Sequence, residues 1–457
     1  MRIVVVVMAF GLFACGGGSG SGGAPSSSLG SSLSSSSASF SRAVSSSSEV
    51  SSSSAMSSVA WSEQYLIDVI GASEVTDLLV APDNQLYVAG YIKGVVGQTN
   101  IEPAGNTVGV AYQLNAGTGM GANNAFYQLD TSATDVIEAL AYNSEDERLY
   151  FAGRTNGTVA GQVNFGQFDV VFGALENNAD PTHLLQLGSA TPQHPVAMNF
   201  TRYDDVAIAG YNDIYVPSNY VEAWRDPFLM LLSPSGDGYT RLWDVNYVTA
   251  ADDDVLDLAV APGNTDQIVI VGNLYNTALR GSFAASYDSD ASVLWRQQLN
   301  FQGLDQVTSV VIAANGNIFV GGTAVAANPP LAGVRRDFVV FELDSQTGER
   351  LRTEFYGTEF DDQLSAMALD AEGNLYLAGE LTKEKAGTDD LDQEALLIKV
   401  NPQWGVVMRK RWYSPAGLMA VRALAVNHQQ RAFLGGYIGD VDNSRRQGVV
   451  VTTETDL

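Results

Sequence analysis

The sequence predicts an all-β fold built from seven copies of one four-stranded unit. The first observation is a short motif, LYLAG in its clearest copy, that follows a turn and ends on a glycine. The second is the spacing of that glycine, which recurs every 50 to 63 residues. The third is that the apolar runs show no helical periodicity. The glycines are Gly90, Gly153, Gly210, Gly272, Gly322, Gly379 and Gly436.

Each unit holds four apolar, β-branched or aromatic runs that are separated by turn residues. In the first unit these runs are 75–81, 86–92, 108–114 and 125–130. A repeat of this length is one supersecondary unit, and a ring of such units is a β-propeller. We therefore predict a seven-bladed β-propeller of four-stranded antiparallel blades.

The last unit contains only three runs, at 421–427, 431–438 and 447–454. A spare run at 60–71 lies where a fourth strand should precede the first inner strand. Pairing these two ends closes the ring and leaves no unpaired terminal blade. We predict that residues 59–457 form the propeller and that the N-terminal strand closes the last blade.

The N-terminus has the pattern of an exported protein. An apolar run from Ile3 to Ala14 is too short to span a bilayer and is typical of a signal peptide. It ends at Cys15, the single cysteine of the chain, and the letters LFAC before and at this position resemble a bacterial lipobox. The resemblance implies a lipoprotein signal peptide over 1–15, lipidation of Cys15, and an outer-membrane lipoprotein on the periplasmic side or at the cell surface.

Residues 16–58 are rich in serine and glycine and carry almost no charge. Such a segment buries too little apolar surface to offset its chain entropy, so we expect a disordered linker. This polyserine linker resembles those of exported, often polysaccharide-degrading, proteins of some marine bacteria.

Charge and motif content exclude several functions. The net charge of −27 excludes nucleic-acid binding and adsorption to an anionic membrane, so we expect membrane contact only through the lipid anchor. Three scattered histidines and the lack of H-E-x-x-H, G-x-S-x-G and P-loop motifs argue against metal-dependent or serine hydrolysis. We expect binding rather than catalysis, although carboxylate-based catalysis stays open.

Two stretches show the repeat most clearly. They are DDQLSAMALDAEGNLYLAGE (361–380), followed by EALLIKVNPQWG (394–405), and RDFVVFELDSQTGE (336–349). These resemble the bacterial β-propeller repeat family often called SBBP, and the resemblance covers the chain from about residue 60. It implies a propeller in an exported or surface protein, and it supplies no catalytic residues.

The pattern also predicts which face binds. In a blade of four antiparallel strands, the second-to-third connections emerge on the same face as the starts of the inner strands. The long segments 93–107, 211–226, 323–336 and 380–393 fall on that face, and variable loops on a rigid scaffold are where binding sites usually lie.

Two groups of candidate ligand-binding residues fall on this face. Acidic residues just before the inner strands would surround the channel mouth, or would only form a solvated rim. Aromatic residues in one loop would stack on sugar faces or anchor a protein partner, or would only fill space between blades. The acidic group is Glu74, Asp135, Asp254 and Asp362, and the aromatic group is Tyr211, Tyr215, Tyr220 and Trp224.

Two loops carry carboxylates at alternate positions, a spacing that suits Ca²⁺. They are DLDQE, with Asp390, Asp392 and Glu394, and DVDNS, with Asp440 and Asp442. Neither loop completes the calcium-loop pattern, so solvated loops are the competing interpretation. We expect no required cofactor, with Ca²⁺ as the one candidate ion.

The leading hypothesis is a monomeric, lipid-anchored cell-envelope propeller. Its long-loop face would bind a polysaccharide or a protein partner at the cell surface, as a binding or scaffold module. The alternative is a carbohydrate-active enzyme, a glycoside hydrolase or lyase, that uses channel-mouth carboxylates. A third hypothesis is an assembly module without a small-molecule ligand.

Overall fold

The computed structural model describes most of the predicted propeller. The described residues lie in the compact unit Ser54–Leu457. Cys15 and the predicted linker lie outside them, apart from Ser58. No helix in the described part of the chain is long and apolar enough to cross a membrane. The described ranges are 58–60, 65–66, 69–96, 107–115, 127–175, 181–214, 224–246, 252–263, 266–275, 281–299, 304–325, 335–384, 391–414, 418–439 and 446–453.

Seven antiparallel sheets follow one another along the chain, and this confirms the predicted seven-bladed β-propeller. Two short N-terminal strands, β1 (Ser58–Ala60) and β2 (Tyr65–Leu66), precede the first blade. In blades 1 to 3 the strands, from the inner strand outwards, are β3 (Val69–Val80), β4 (Gln85–Val96), β5 (Thr107–Asn115), β6 (Tyr127–Leu129); β7 (Asp135–Asn143), β8 (Arg148–Thr155), β9 (Asp169–Leu175), β10 (Thr182–Leu187); and β11 (Gln193–Phe200), β12 (Val206–Ile214), β13 (Trp224–Ser235), β14 (Gly238–Asn246).

Blades 4 to 7 repeat this order with strands of similar length. Their strands are β15 (Asp253–Val260), β16 (Ile268–Leu274), β17 (Gly281–Tyr287), β18 (Val293–Leu299); β19 (Leu304–Ile312), β20 (Ile318–Val325), β21 (Arg336–Leu343), β22 (Arg350–Tyr356); β23 (Asp361–Leu369), β24 (Leu375–Glu384), β25 (Leu391–Val400), β26 (Val406–Tyr413); and β27 (Leu418–Val426), β28 (Ala432–Gly439), β29 (Arg446–Thr452).

The ring closes as the sequence predicts. Blade 7 takes three strands from the C-terminal end, and the N-terminal strand β2 pairs antiparallel with β29, with Tyr65 opposite Val450. The inner strand β27 also contacts β3 of blade 1. A second N-terminal strand was not predicted: β1 pairs parallel with β26 at the outer edge of blade 6, with Val59 opposite Trp412.

Hydrophobic packing between blades holds the ring together. The described apolar residues form seven buried clusters, and each cluster joins two neighbouring blades. The cluster that joins blade 7 to blade 1 packs Phe433 and Val450 against residues that include Val75 and Leu86. Burial of this apolar surface is the main favourable contribution to closing the ring.

Two tryptophans link blades at their outer strands. The indole N–H of Trp243 donates to the carbonyl of Ser289 in the next blade at 2.8 Å. Trp295 donates to the carbonyl of Ser345 at 2.9 Å in the equivalent place. These matching tryptophans therefore pack and bond adjacent blades.

The repeated glycine has a steric cause. In each of the seven inner strands the pairing register shifts by one residue next to the glycine of the second strand, which marks a β-bulge. The bulge brings a backbone carbonyl of the inner strand against the glycine. A Cβ added at any of the seven glycines would lie less than 3.0 Å from that oxygen, so only glycine fits there.

The first-to-second strand hairpins are tight, as predicted. Among its described residues, each of the seven contains one with a positive φ, a conformation that suits short turns. These residues are Asn84, Glu147, Asp204, Gly263, Gly316, Gly373 and Gln430.

The glycine requirement can be tested by substitution. We expect Gly379→Ala to lower the free energy of unfolding by roughly 2–4 kcal/mol, because the new Cβ overlaps the carbonyl oxygen of Gln363 and the strands must separate. Gly166→Ala is the control, since its Cβ would meet only Ser189 O at 3.5 Å. Urea unfolding measures both, and equal stability of the two variants would contradict the steric explanation.

Candidate functional site

The candidate site lies on what we call the top face, which carries the starts of the inner strands and the second-to-third strand connections. The antiparallel order of every blade places the described ends of the long segments predicted from the sequence on this face. The connection 156–168 of blade 2 belongs to it and is described in full.

The residue that follows the repeated glycine divides the ring into two parts. In blades 4, 5 and 6 this residue is a small or acidic polar one, Asn273, Thr323 and Glu380. In blades 7, 1, 2 and 3 it is a tyrosine or an arginine. We call this second set the Tyr/Arg arc: Tyr437, Tyr91, Arg154 and Tyr211.

In blades 4 to 6, the side chain of the residue after the glycine hydrogen-bonds to the inner strand of the next blade. Asn273 Oδ1 accepts the backbone N–H of Val307 at 3.0 Å. Thr323 Oγ1 accepts that of Leu364 at 3.0 Å in the same way. Glu380 Oε1 accepts the N–H of Val421 at 2.7 Å, and its other oxygen accepts the hydroxyl of Ser365. Burial raises the pKa of Glu380 to about 7.

Two further carboxylates fasten inner strands to each other. Asp77 accepts the N–H of Leu140 in blade 2 at 2.7 Å, and Asp257 accepts that of Val310 in blade 5 at 2.8 Å. Burial raises the pKa of Asp77 to about 7 and that of Asp257 to about 6. These buried carboxylates therefore have a structural role between blades.

At the junction of blades 7 and 1, Tyr91 and Tyr437 of the Tyr/Arg arc lie beside an ion pair in which two arginines share Glu74. Glu74 accepts from Arg422 Nε and from an Arg446 terminal nitrogen, each at 2.9 Å. The Tyr91 hydroxyl donates to Glu74 Oε2 at 2.9 Å. Burial, followed by the charge of Glu74, raises the pKa of Tyr91 to about 12, so the phenol keeps its proton.

At the junction of blades 2 and 3, Arg154 and Tyr211 of the arc contact His194. His194 Nε2 lies 2.9 Å from Asp213 Oδ2, and its Nδ1 faces Arg154. Its ring stacks on Tyr211, with ring centroids 4.9 Å apart and planes at 14°. Burial, followed by the charge of Arg154, lowers the pKa of His194 below its ordinary value. Arg154 also pairs with Glu138 at 3.2 Å.

The β-bulge explains why the side chains of Glu138 and Arg422 point towards the mouth of the central channel. Glu138 is the extra residue of the bulge in blade 2, and Arg422 is the extra residue in blade 7. A bulge re-aims the side chain it carries, which is why bulges often lie beside functional sites. Burial raises the pKa of Glu138.

Arginines at the starts of third strands connect blades on the top face. Arg225 pairs with Asp254 of the next blade at 3.2 Å, and Arg336 pairs with Asp361 at 2.6 Å. Arg446 holds the equivalent place in blade 7. Each of these arginines lies three residues before the third-strand residue that pairs with the repeated glycine.

The predicted acidic residues fall into two groups. Glu74 and Asp254 enter the ion pairs just described. Asp135 accepts from the backbone N–H and hydroxyl of Thr131, and Asp362 accepts from the same two groups of Thr358. Burial raises the pKa of Asp362 to about 7 and also raises that of Asp135. The last two carboxylates stabilise their own turns.

The predicted aromatic residues are partly described. Tyr211 lies in the arc and Trp224 begins β13 with 39% of its surface exposed, whereas Tyr215 and Tyr220 lie outside the described residues. Two more exposed aromatics lie on the top face, Phe165 at 54% and Tyr275 at 42%. Phe165, Trp224 and Tyr275 come from consecutive blades, and we call them the aromatic track.

The predicted calcium ligands are also partly described. Glu394 lies against Lys383, and Arg411 Nε is 2.8 Å from its second oxygen. Asp392 pairs with Lys383 at 3.3 Å. Asp390, Asp440 and Asp442 lie outside the described residues, and within the described ranges no group of three or more metal-ligating side chains occurs. The calcium site stays a prediction.

The Tyr/Arg arc and the arginines were missed from the sequence, although their signal is present. The letters after the seven glycines read Y, R, Y, N, T, E and Y, so the division of the ring is visible in one column of the alignment. The arginines recur in the segments WRDPF and RRDFVV, at matching positions before the third strand.

The fold is similar to several solved structures. Sqt1 from Chaetomium thermophilum matches with 12% identity over 86% of this chain and 90% of that chain, at a TM-score of 0.47. The polysaccharide lyase Uly1 matches with 12% identity over 85% and 91%, at 0.43. A luciferin-regenerating enzyme matches with 11% identity over 70% and 91%, at 0.38. At these values the matches carry no conclusion about this chain, and function has to be argued from the site.

No protein-family model and no curated protein matches the chain. The seven-bladed architecture is thus confirmed by the structure itself. The resemblance to SBBP repeats stays a prediction.

The raised pKa of Glu380 gives a test of the blade connections. Ionising this buried carboxylate costs free energy in the folded state, so its stabilising effect is complete below pH 4.5 and is lost as pH rises through 7. We expect Glu380→Gln to gain stability relative to the parent by about 2–3 kcal/mol between pH 5 and pH 8. Urea unfolding at both pH values measures this.

The exposed turn variant Glu372→Gln controls for loss of surface charge. A difference between parent and Glu380→Gln that does not change with pH would contradict the assigned titration.

Proposed function

We propose that the top face of this propeller binds a glycan. The observation that carries the proposal is the combination of the aromatic track with the fixed polar groups of the mouth. Phe165, Trp224 and Tyr275 expose flat rings on three consecutive blades of one face. A sugar ring has C–H groups on its faces and hydroxyls at its edge, so it needs both kinds of partner.

The polar groups are held in place before any ligand arrives. Arg225 lies over the Tyr211 ring at 4.9 Å while it pairs with Asp254. The hydroxyl of Tyr275 also donates to Asp254 at 3.2 Å. Such pre-organised donors and acceptors lower the entropic cost of binding, and they give hydroxyl groups defined partners.

A glycan fits this surface better than a protein partner does. The buried centre of a protein interface is depleted of charged residues. Here the mouth carries ion pairs across the 7–1 and 3–4 junctions, from Glu74 and Arg225, and one within blade 2, from Arg154. Hydroxyl groups can bond to these charges without leaving them unpaired.

The cellular setting is proposed from the sequence alone. Lipidation at Cys15 and a serine-rich linker would tether the glycan-binding propeller at the outer membrane. Its ligand would then be a polysaccharide of the cell surface or its surroundings.

One observation favours the enzyme alternative. The pKa of Glu380 near 7 is the value that a general acid needs at neutral pH. Both of its oxygens, however, accept hydrogen bonds from Val421 and Ser365. We therefore propose binding without turnover, and an assay for new reducing ends or unsaturated products would reveal catalysis.

The proposed function can be tested by affinity electrophoresis in gels that contain polygalacturonate, κ-carrageenan, agarose or xylan. We expect at least one polysaccharide to retard the protein. Trp224→Ala and Tyr275→Ala should each weaken that binding about fivefold or more, because exposed aromatic anchors carry much of the binding energy.

Tyr203→Ala is the matched control, since Tyr203 is 54% exposed but lies in a first-to-second strand hairpin on the opposite face. Retardation by none of the polysaccharides, or an equal loss in the Tyr203 variant, would refute glycan binding at this face.

A further inference from the structure

At the junction of blades 7 and 1, two arginines pair with the same carboxylate. Where Arg225 and Arg336 connect blades, one arginine reaches the acidic residue of the next blade. At the 7–1 junction, both Arg446 and Arg422 reach the single carboxylate of Glu74. The second arginine is present because the bulge of blade 7 carries Arg422. In the described part of this junction, two guanidinium groups thus share one carboxylate.

The two guanidinium groups are restrained by their neighbours and are partly exposed. The side chain of Glu74 is only 9% exposed, whereas those of Arg422 and Arg446 are 43% and 30% exposed. The Tyr437 ring lies 4.5 Å from the Arg446 guanidinium and 5.4 Å from that of Arg422. Stacking on an aromatic ring and a shared carboxylate restrict both side chains, so their exposed N–H groups have fixed directions.

Among the described residues, a second carboxylate, that of Glu380, acts on Arg422, and it carries little negative charge below neutral pH. Glu380 of blade 6 interacts with Arg422 through its charge. Its oxygens accept from Val421 N–H and the Ser365 hydroxyl, and burial raises its pKa to about 7. It is therefore largely neutral at pH 6.

We propose that Arg422 and Arg446 together bind an anionic group of the ligand, so that the glycan is an acidic polysaccharide. This inference rests on the proposed glycan binding and names the chemical class of its ligand. The anionic group is a carboxylate or a sulfate ester, since a guanidinium pair can donate two or more charge-assisted hydrogen bonds to the oxygens of either one.

The net negative charge of the protein excludes one other explanation for binding of an acidic polysaccharide. A net charge of −27 repels polyanions at long range, so non-specific attraction cannot account for binding of an acidic chain. Binding requires a local site with fixed cations, which the 7–1 junction provides.

Isothermal titration calorimetry at pH 6 with four oligosaccharides tests the inference. Hexagalacturonate carries carboxylates, and its methyl ester is the neutral counterpart with the same rings. A κ-carrageenan oligosaccharide carries sulfate esters, and its desulfated form is the neutral counterpart. We expect one acidic probe to bind at least tenfold more tightly than its neutral partner, and the probe that does so identifies the anionic group.

Variants then assign the preference to the two arginines. Arg422→Gln and Arg446→Gln should each weaken binding of the preferred acidic probe about tenfold or more and leave the neutral probe unchanged. Arg336→Gln is the control, because it removes the equivalent arginine of blade 5 and should leave the preference intact. Thermal melting checks the fold of each variant, and if Arg446→Gln unfolds, the Arg422 variant decides.

The outcomes separate this inference from the proposed function. Equal binding of acidic and neutral probes, or an unchanged preference in Arg422→Gln, overturns the inference and leaves glycan binding intact. If none of the four probes binds and no gel polysaccharide retards the protein, glycan binding itself fails and this inference fails with it.

Discussion

The close approach of an inner-strand carbonyl to a glycine is the contact on which the rest of this structure depends. It occurs once in every blade, at the bulge next to Gly90 and its six equivalents. A side chain at the glycine would push the strands apart, and the bulge would be lost. The glycine thus fixes where each inner strand bends and which residue the bulge turns towards the channel mouth.

The same geometry serves two purposes around one ring. In blades 4 to 6, the residue after the glycine bonds to the next inner strand, as Thr323 does to Leu364. In blades 7, 1, 2 and 3 the equivalent residue is Tyr or Arg and takes part in ion pairs and ring stacking on the top face. The residue after the glycine therefore holds neighbouring blades together in blades 4 to 6, and in the other four blades it belongs to groups on the top face that a ligand can contact.

Much of the fold could be predicted from the sequence because each blade repeats the same steric requirement. The glycine spacing gave seven blades, and the missing strand gave the closure that Tyr65 makes with Val450. The strand β1 could not be predicted, because three residues of a serine-rich segment carry no strand pattern. For the site, the sequence indicated the face and included Glu74, Tyr211 and Trp224. It could not show which acidic residues meet arginines, because Glu74 and Arg446 lie 372 residues apart.

Hydroxyl-radical footprinting of the full chain, with and without the polysaccharide that retards it most, measures whether the top face binds a glycan. We expect lower oxidation of Phe165, Trp224 and Tyr275 on binding, and unchanged oxidation of Tyr203 and of Leu242 on an outer strand. Protection confined to Tyr203 or Leu242 would contradict glycan binding at this face.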